Sequence, residues 1–256
     1  MQTVSSNLKP GKGNIPGLCV YGIWSRRHFS SARVRYILVA GMVFEDRVDA
    51  GKQLAERLLP YKGRTDALLF ALPRGGVVLG AEISKALGLP FDVLVTRKIG
   101  APYNPEYAIG ALAETGETVW NESERAATDK KALDKIVAQQ VKEAERRVKK
   151  YRQGVALPDM QGKIVILIDD GIATGLTMRA AIVAAKGKDA EKIIVAVPHG
   201  AAETLAALRG EADEVIALDE PEWYGAVGQF YKDFPQVEDE EVLELLRAQG
   251  TKQNSL

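Results

Sequence analysis

One stretch of this 256-residue chain constrains the fold more than any other: the apolar residues 164–168 lead directly into the paired acids Asp169 and Asp170. A continuous apolar run of this length predicts a central parallel strand that is covered on both faces. A turn of small residues follows the acids, and residues 177–186 then have the composition of a helix. Because ligands bind beyond the carboxyl ends of the strands in an open parallel sheet, the segment predicts a ligand site at this point.

From Met42 onward, apolar segments of strand length alternate with segments of helical pattern. Strands are expected at residues 67–72, 91–96, 192–197 and 214–218, and helices near residues 48–59, 77–87, 201–208 and 240–248. Strands that alternate with helices predict a parallel sheet joined by right-handed crossovers. The expected fold class is therefore α/β.

Two longer segments interrupt this alternation. Residues 97–116 contain several Gly and Pro and predict a long irregular loop or a hairpin, and loops of this length often act as lids. Residues 123–152 are highly charged and carry one apolar stripe, which predicts a single long amphipathic helix packed on the edge of the domain.

Composition narrows the classes of partner. The 34 basic and 34 acidic residues balance, which gives no indication of a nucleic-acid partner. No apolar run approaches the ~18 residues of a membrane helix, so no membrane partner is expected. The single cysteine, Cys19, cannot form a disulfide within the chain, which fits a reducing, cytoplasmic location.

The first 41 residues differ from the rest, because they carry six basic residues and no acid. They are expected to form a disordered extension, or to be upstream sequence ahead of a domain start at Met42. The alternative is an organellar transit peptide, since such peptides are rich in Arg and Ser and poor in acids.

The turn after the paired acids favours an anion. Its members are Ala173, Thr174, Gly175, Leu176 and Thr177. Backbone N–H groups at a helix N-terminus and the helix dipole both favour a phosphate, and Gly175 permits close backbone approach. Asp169 and Asp170 would repel a phosphate, but they suit the vicinal hydroxyls of a sugar. The ligand deduced from the residues therefore carries a phosphate and a diol, as ribose 5-phosphate does.

Residues 165–178 combine four apolar residues, two acids, two linkers and a small-Thr-Gly-x-Thr loop. This pattern resembles the signature that binds 5-phosphoribosyl 1-pyrophosphate (PRPP) in type I phosphoribosyltransferases. More narrowly, the chain is similar to a bacterial set of predicted phosphoribosyltransferases that carry Pro-Arg-Gly-Gly, Arg-Lys-Ile-Gly-Ala-Pro-Tyr-Asn-Pro-Glu and Ala-Ile-Gly-Ala, here at residues 73–76, 97–106 and 108–111. The resemblance implies a parallel-sheet core at residues 42–218, with a long helical insertion at 119–155 and a small C-terminal hood at 219–256.

The resemblance also implies a reaction, in which the ribose 5-phosphate of PRPP moves to a nitrogenous base or other amine and pyrophosphate is released. Asp169 and Asp170 would act as catalytic residues that stabilise the ribose. The 5′-phosphate would bind at Ala173, Thr174, Gly175, Leu176 and Thr177. Mg²⁺ would be held mainly by PRPP oxygens, with the two acids acting on it indirectly.

Two further segments match landmarks of the family. The pyrophosphate would bind at Arg74, Gly75 and Gly76, in a loop that often contains a non-proline cis peptide, expected here near Arg74. Arg97 and Lys98, at the start of the lid, would assist catalysis by reaching the pyrophosphate. Within the lid, contacts are expected from Tyr103, Glu106 and Tyr107.

The acceptor stays open at this stage. Some 6-oxopurine enzymes of the family have Asp at the position of Ala173, so hypoxanthine or guanine is less expected here, and the loop is closer to the adenine type. The aromatic part of the hood, residues 219–234, contains Trp223, Tyr224, Phe230 and Tyr231. Trp223 and Tyr224 are candidates for stacking on a base. The alternative is that these aromatics pack on the core. His199 is expected to be a turn residue rather than a catalyst.

Other functions compete with the transferase. A non-catalytic PRPP- or nucleotide-binding regulator on the same fold would keep the phosphate loop without turnover. A P-loop nucleotidase, a Rossmann dehydrogenase and an α/β-hydrolase each need a motif that the sequence lacks. Homodimers are common in the resembling family, so a homodimer is the assembly that the resemblance allows.

Overall fold

The computed structural model describes residues 18–23, 35–40 and 42–253. Its strands are β1 Leu18–Ile23, β2 Arg35–Ala40, β3 Ala67–Ala71, β4 Phe91–Val93, β5 Thr96–Ala101, β6 Asn104–Ala113, β7 Thr118–Trp120, β8 Ile164–Ile168, β9 Lys192–His199 and β10 Glu214–Asp219. Its α-helices are α1 Arg47–Arg57, α2 Gly76–Leu87, α3 Glu122–Ala127, α4 Lys130–Arg152, α5 Leu176–Gly187, α6 Ala202–Leu208 and α7 Asp239–Gln253.

The core is a five-stranded sheet with the order β10-β9-β8-β3-β4, and every pairing in it is parallel. The central strand, β8, is buried along its whole length. Ile164, Ile166 and Ile168 belong to the hydrophobic core on one face of the sheet, and Val165 and Leu167 belong to the core on the other. Successive side chains of a strand point to opposite faces of the sheet, so this one apolar run contributes to the hydrophobic core on both faces. The predicted α/β class with a parallel sheet is confirmed.

The strand predicted at residues 91–96 is wrong in its extent. β4 ends at Val93, and β5 begins at Thr96 in a separate three-stranded antiparallel sheet, β5-β6-β7. The chain changes sheets where Leu94 N donates to Ala71 O in the parallel sheet, while Val95 N donates to the Glu114 side chain. Residues 97–116 thus form a hairpin of β5 and β6, the ordered one of the two predicted alternatives.

The single helix predicted over residues 123–152 is also corrected, because it is two helices. The Asn121 side chain accepts from Glu124 N at the start of α3, and the Asp129 side chain accepts from Ala132 N at the start of α4. An N-cap residue has an extended backbone, so Asp129 interrupts the helical run. At the other end of α4, the buried Arg152 binds Asp92, Glu114 and the Val93 carbonyl, which fixes this helix to both sheets.

The tail returns to the start of the domain. Phe44 N donates to Phe230 O over 2.8 Å, and Lys232 N donates to Phe44 O over 2.9 Å. Asp233 N then donates to Glu45 O over 2.9 Å. Residues 230–233, which we call the tail strap, therefore lie beside the residues that lead into α1.

Before residue 42, the structure describes only an antiparallel ladder between β1 and β2, in which Leu18 pairs with Ala40. The rest of residues 1–41 lies outside the described residues, so the expectation of a disordered extension or a transit peptide stays a prediction. Within the described ranges, no helix has both the length and the apolar character needed to cross a membrane.

Candidate active site

The topology brings two predicted loops together. β3 and β8 are neighbours, with Ala71 opposite Ile168, so both strands end at the same edge of the sheet. The loop at residues 73–76 and the paired acids therefore lie side by side. A Cβ atom on Gly75 would lie 1.8 Å from Asp170 Oδ2, and one on Gly76 would lie 2.8 Å from Ile168 O. Only glycine allows this approach at either position.

The Pro73–Arg74 peptide is cis, which confirms the position expected for this feature. The Arg74 side chain is directed towards the start of α7. Its Nη1 atom lies 3.1 Å from Glu238 Oε2 and 3.9 Å from Asp239 Oδ1. The guanidinium thus already has anionic partners from the C-terminal segment.

The turn between β8 and α5 forms one wall of a cavity of about 170 Å³. The cavity is lined by Lys98, Ala108, residues 171–177 and Val227. Gly175, the N-cap of α5, has a φ of +73°, which favours glycine. Among the described residues, the backbone N–H groups of Ala173, Thr174 and Gly175 donate no hydrogen bond to another protein atom.

The turn is held from behind by other atoms. Ile172 N donates to His199 O over 3.0 Å, and Thr204 Oγ1 donates to Ala173 O over 2.8 Å. These contacts use the Ile172 N–H group and the Ala173 carbonyl, so the N–H groups of residues 173–175 stay available to a ligand. Together with the dipole of α5, they make the cavity suitable for a phosphate.

The paired acids have different surroundings. Asp170 Oδ2 accepts a 2.8 Å hydrogen bond from Arg47 Nε, whereas Asp169 Oδ1 accepts from the Asp170 backbone N–H over 2.9 Å. Burial raises the pKa of Asp169 well above its ordinary value, and the charge of Asp170 raises it further. Burial also raises the pKa of Asp170, but the Arg47 guanidinium opposes that rise. Asp170 is thus the acid whose charge the protein itself compensates.

The two basic residues at the start of the hairpin point in different directions, as successive residues of a strand do. Lys98 lines the cavity, and its Nζ atom donates to Glu106 Oε2 over 2.8 Å and to Glu106 O over 3.1 Å. Arg97 Nε donates instead to Gln140 Oε1 of α4 over 3.0 Å. Burial lowers the pKa of Arg97. The structure therefore brings Lys98 to the cavity and leaves Arg97 outside it.

The other residues predicted for the lid lie together on the hairpin. The rings of Tyr103 and Tyr107 are stacked 6.4 Å apart. Their hydroxyls lie 3.5 and 3.0 Å from the Glu124 carboxylate, so α3 supports this end of the hairpin.

The hood aromatics mostly contact one another. Tyr224 stacks on Phe230 with a centroid separation of 5.0 Å, and its hydroxyl lies 2.9 Å from His199 Nδ1. Trp223, in contrast, is 68% exposed. The structure therefore leaves Trp223 exposed, whereas Tyr224 follows the alternative in which the aromatics pack on the core.

His199 is not a turn residue, which corrects the expectation. It is the last residue of β9, is fully buried, and stacks on Phe230 at 4.4 Å. Burial lowers its pKa to about 3. Its Nε2 atom has no hydrogen-bond partner among the described residues.

The role of Arg47 in the site was missed from sequence, and Tyr231 was placed only among the aromatics of the C-terminal hood. Arg47 is 123 positions from the acid that it binds, and Tyr231, which donates to Asp170 O over 2.6 Å, is 61 positions away. Contacts at these separations leave no local pattern. The only signal was the aromatic content of the segment that contains Tyr231.

The donor set fits a magnesium ion carried by a phosphorylated substrate better than a protein-held metal. In the part of the chain that the structure describes, no three His, Cys, Asp or Glu side chains are grouped to hold a metal ion. Asp169 and Asp170 supply two carboxylates, too few to hold the ion alone, so most of its ligands would come from the phosphates of a substrate.

Comparison with known proteins gives the family. Two Mycobacterium tuberculosis proteins, from strains CDC 1551 and H37Rv, are each named "putative phosphoribosyl transferase" and are 43% identical to this chain over 206 residues. The match covers 80% of this chain but only 46% of theirs, so the chain spans about half the length of these curated relatives. The crystal structure of TT1426 from Thermus thermophilus is 40% identical, with a TM-score of 0.67, and the match covers 80% of this chain and 98% of that one. Residues 44–235 match the family model of the phosphoribosyl transferase domain, and the chain belongs to that family.

Proposed function

We propose that this chain is a phosphoribosyltransferase, which transfers the ribose 5-phosphate of PRPP to a nitrogenous base or other amine and releases pyrophosphate. The observation that carries the proposal is the cavity at the N-terminus of α5, where three neighbouring backbone N–H groups lack partners among the described residues. Such a group of donors suits the 5′-phosphate.

The acids at the end of β8 suit the ribose. Asp169 and Asp170 follow the strand whose next turn forms the cavity, so a sugar attached to a phosphate there would reach them. In the proposed reaction, the anomeric carbon loses its bond to the pyrophosphate oxygen and gains a bond to the acceptor nitrogen. The transition state is oxocarbenium-like, and nearby carboxylates stabilise the positive charge that develops.

The leaving pyrophosphate would meet Lys98 and Arg74. Lys98 borders the cavity, and Arg74 is in the glycine-rich loop beside the acids. The shortest ion pairs of both cations are with exposed carboxylates, Glu106 and Glu238, and such ion pairs contribute only ~0–1 kcal/mol. Arg74 also lies 3.9 Å from the buried Asp239, which would stay in place. A multiply charged pyrophosphate could replace either exposed carboxylate at little cost. Magnesium bound with PRPP would neutralise part of the pyrophosphate charge, and Asp169 and Asp170 are the residues suited to hold it, through PRPP rather than directly.

The proposed partners are PRPP and a small nitrogenous acceptor, in a cytoplasmic salvage role. Trp223 is the one predicted base-binding residue whose face is open to a ligand, because Tyr224 is already stacked on Phe230. A homodimer stays a prediction.

Pyrophosphate release tests the proposal. The full chain is incubated with PRPP and Mg²⁺, and with adenine, the other nucleobases and simple amines in separate reactions. We expect release that depends on one acceptor class and is lost in the Asp169→Asn/Asp170→Asn variant. PRPP binding without acceptor-dependent release from any member of the panel would favour the non-catalytic regulator instead.

A further inference from the structure

Arg47, the first residue of α1, makes three contacts that converge at the acidic pair. Its Nε atom donates to Asp170 Oδ2 over 2.8 Å, and its Nη1 atom donates to Pro235 O over 2.7 Å. Its guanidinium lies over the ring of Phe234, 3.7 Å from the ring centroid. A planar guanidinium can satisfy two acceptors and an aromatic face at once, which a lysine ammonium cannot do in the same geometry.

The surrounding backbone fixes Arg47 on both sides. The Asp46 side chain accepts from Asp49 N over 2.7 Å and so sets the start of α1. Just before it, Glu45 O accepts from Asp233 N of the tail strap. The start of the helix and the segment that carries Phe234 and Pro235 are thus joined by their main chains.

The tail strap also reaches Asp170 directly. The Tyr231 hydroxyl donates to Asp170 O over 2.6 Å, and the Tyr231 ring stacks on Phe234 at 4.9 Å. Asp170 is therefore held through its backbone by Tyr231 and through its side chain by Arg47.

Packing alone does not explain a charge pair at this place. Arg47 is 7% exposed, and replacing a buried ion pair by apolar residues of similar volume is often neutral or stabilising. An ionised carboxylate can accept about four hydrogen bonds, so Asp170 can bind Arg47 and a ligand hydroxyl together. An orientation fixed by Arg47 would then serve the ligand.

We infer that Arg47 is a positioning residue for the ribose diol, which acts through the Asp170 carboxylate and is itself held by Phe234 and Pro235. The inference rests on the proposed function, because it assumes that the acids bind the sugar. It makes the tail strap a structural part of the ribose site rather than a separate hood.

The test compares two probes, ribose 5-phosphate and inorganic phosphate, by isothermal titration calorimetry on the full chain. Both probes use the N–H groups of the turn, but only the sugar phosphate offers a diol. For Arg47→Met, we expect the preference for ribose 5-phosphate over phosphate to fall about tenfold, the size expected when the support of one charge-assisted hydrogen bond is lost. Phosphate affinity itself should stay unchanged. Arg47→Lys should recover part of the preference, because lysine keeps the positive charge but lacks the planar set of N–H donors of a guanidinium.

Arg64→Met is the matched control. Arg64 pairs with Asp66 at the other end of β3, away from the site, and its loss should leave the preference unchanged. If Arg47→Met is too unstable to titrate, Phe234→Leu carries the test, with a loss of preference of about threefold from the missing cation–π contact.

The outcomes separate the two claims. A wild-type chain that binds ribose 5-phosphate no better than phosphate would remove the proposed diol site itself. If Arg47→Met keeps the wild-type preference, the role of Arg47 is overturned but the diol site is not. The same holds for Phe234→Leu where that variant is used. Equal losses of affinity for both probes would also overturn the role of Arg47, because the preference for the diol would then be unchanged.

Discussion

Lys98 Nζ lies 2.8 Å from Glu106 Oε2. Among the described residues, Lys98 is the one basic side chain that lines the cavity at the N-terminus of α5, and it is thus paired with a carboxylate of its own hairpin. The Glu106 side chain is 89% exposed, and the hydrogen bond to Lys98 lowers its pKa. It is therefore an anion that pyrophosphate, if it binds as proposed, would displace in order to reach Lys98.

Glu106→Gln should therefore strengthen the binding of inorganic pyrophosphate by about threefold, since an exposed ion pair of ~0–1 kcal/mol no longer competes. Calorimetry with pyrophosphate measures the effect. Glu124→Gln is the control, because Glu124 contacts the hairpin tyrosines and not Lys98. Weaker or unchanged binding in Glu106→Gln would exclude this competition.

Gly175→Ala should weaken phosphate binding and destabilise the fold. The residue has a φ of +73°, and a Cβ atom there would lie 2.6 Å from Thr204 Cγ2, on the side chain that holds the turn. We expect a loss of about 1–2 kcal/mol in the free energy of unfolding, the cost of a left-handed backbone for a residue with a side chain. Urea unfolding measures stability, and phosphate titration measures the site.

Gly210→Ala is the matched control for this substitution. A Cβ atom at Gly210 would have its nearest contact at 3.4 Å, from Ala207 O, and the backbone there is not left-handed. Equal losses of phosphate affinity in the two variants would show that the shape of the turn is not what binds the anion.

His199 should make the fold sensitive to acid. Its pKa in the folded protein is lowered to about 3 from an ordinary value of 6.5, so the unfolded chain binds the proton more readily between these two values. Stability from this group is present above pH 6.5 and is lost as the pH falls towards 3. His199→Phe should therefore lose less of its unfolding free energy than the wild type between about pH 7.5 and about pH 5.0, a difference on the order of 1–2 kcal/mol.

The acidic pair acts in the opposite direction. The raised pKa values of Asp169 and Asp170 contribute stability that is lost as the pH rises, so only the difference between variants isolates the histidine. His28, the other histidine of the chain, lies outside the described residues and provides the control His28→Gln. An identical pH dependence in His199→Phe and wild type would contradict this prediction.

Short sequence patterns correctly predicted the central strand and the turn that follows it. The apolar run before Asp169 is the central strand, and the small-residue turn after Asp170 is the wall of the cavity. The break between α3 and α4 had a local signal too, because Asp129 is a typical N-cap residue, but the continuous apolar stripe suggested one helix.

The rest of the site depends on contacts between distant parts of the chain. Arg47 meets Asp170 across 123 residues, and the tail strap meets Phe44 across a still longer separation. Arg97 and Lys98 are adjacent in sequence, and only the pairing of the hairpin with α4 shows which of them faces the cavity. These relationships follow from tertiary packing, which no short motif encodes.

The most direct test of the central claim is the affinity of the Asp169→Asn/Asp170→Asn variant for PRPP with Mg²⁺, measured by calorimetry beside wild type. Asp66→Asn, which removes an exposed acid at the opposite end of β3, is the control. If the cavity holds the phosphate and the acids hold the ribose, PRPP affinity should fall at least about tenfold in the double variant, since each lost acceptor removes a charge-assisted hydrogen bond, and stay unchanged in the control. Affinity near the wild-type value in a folded double variant would contradict the account.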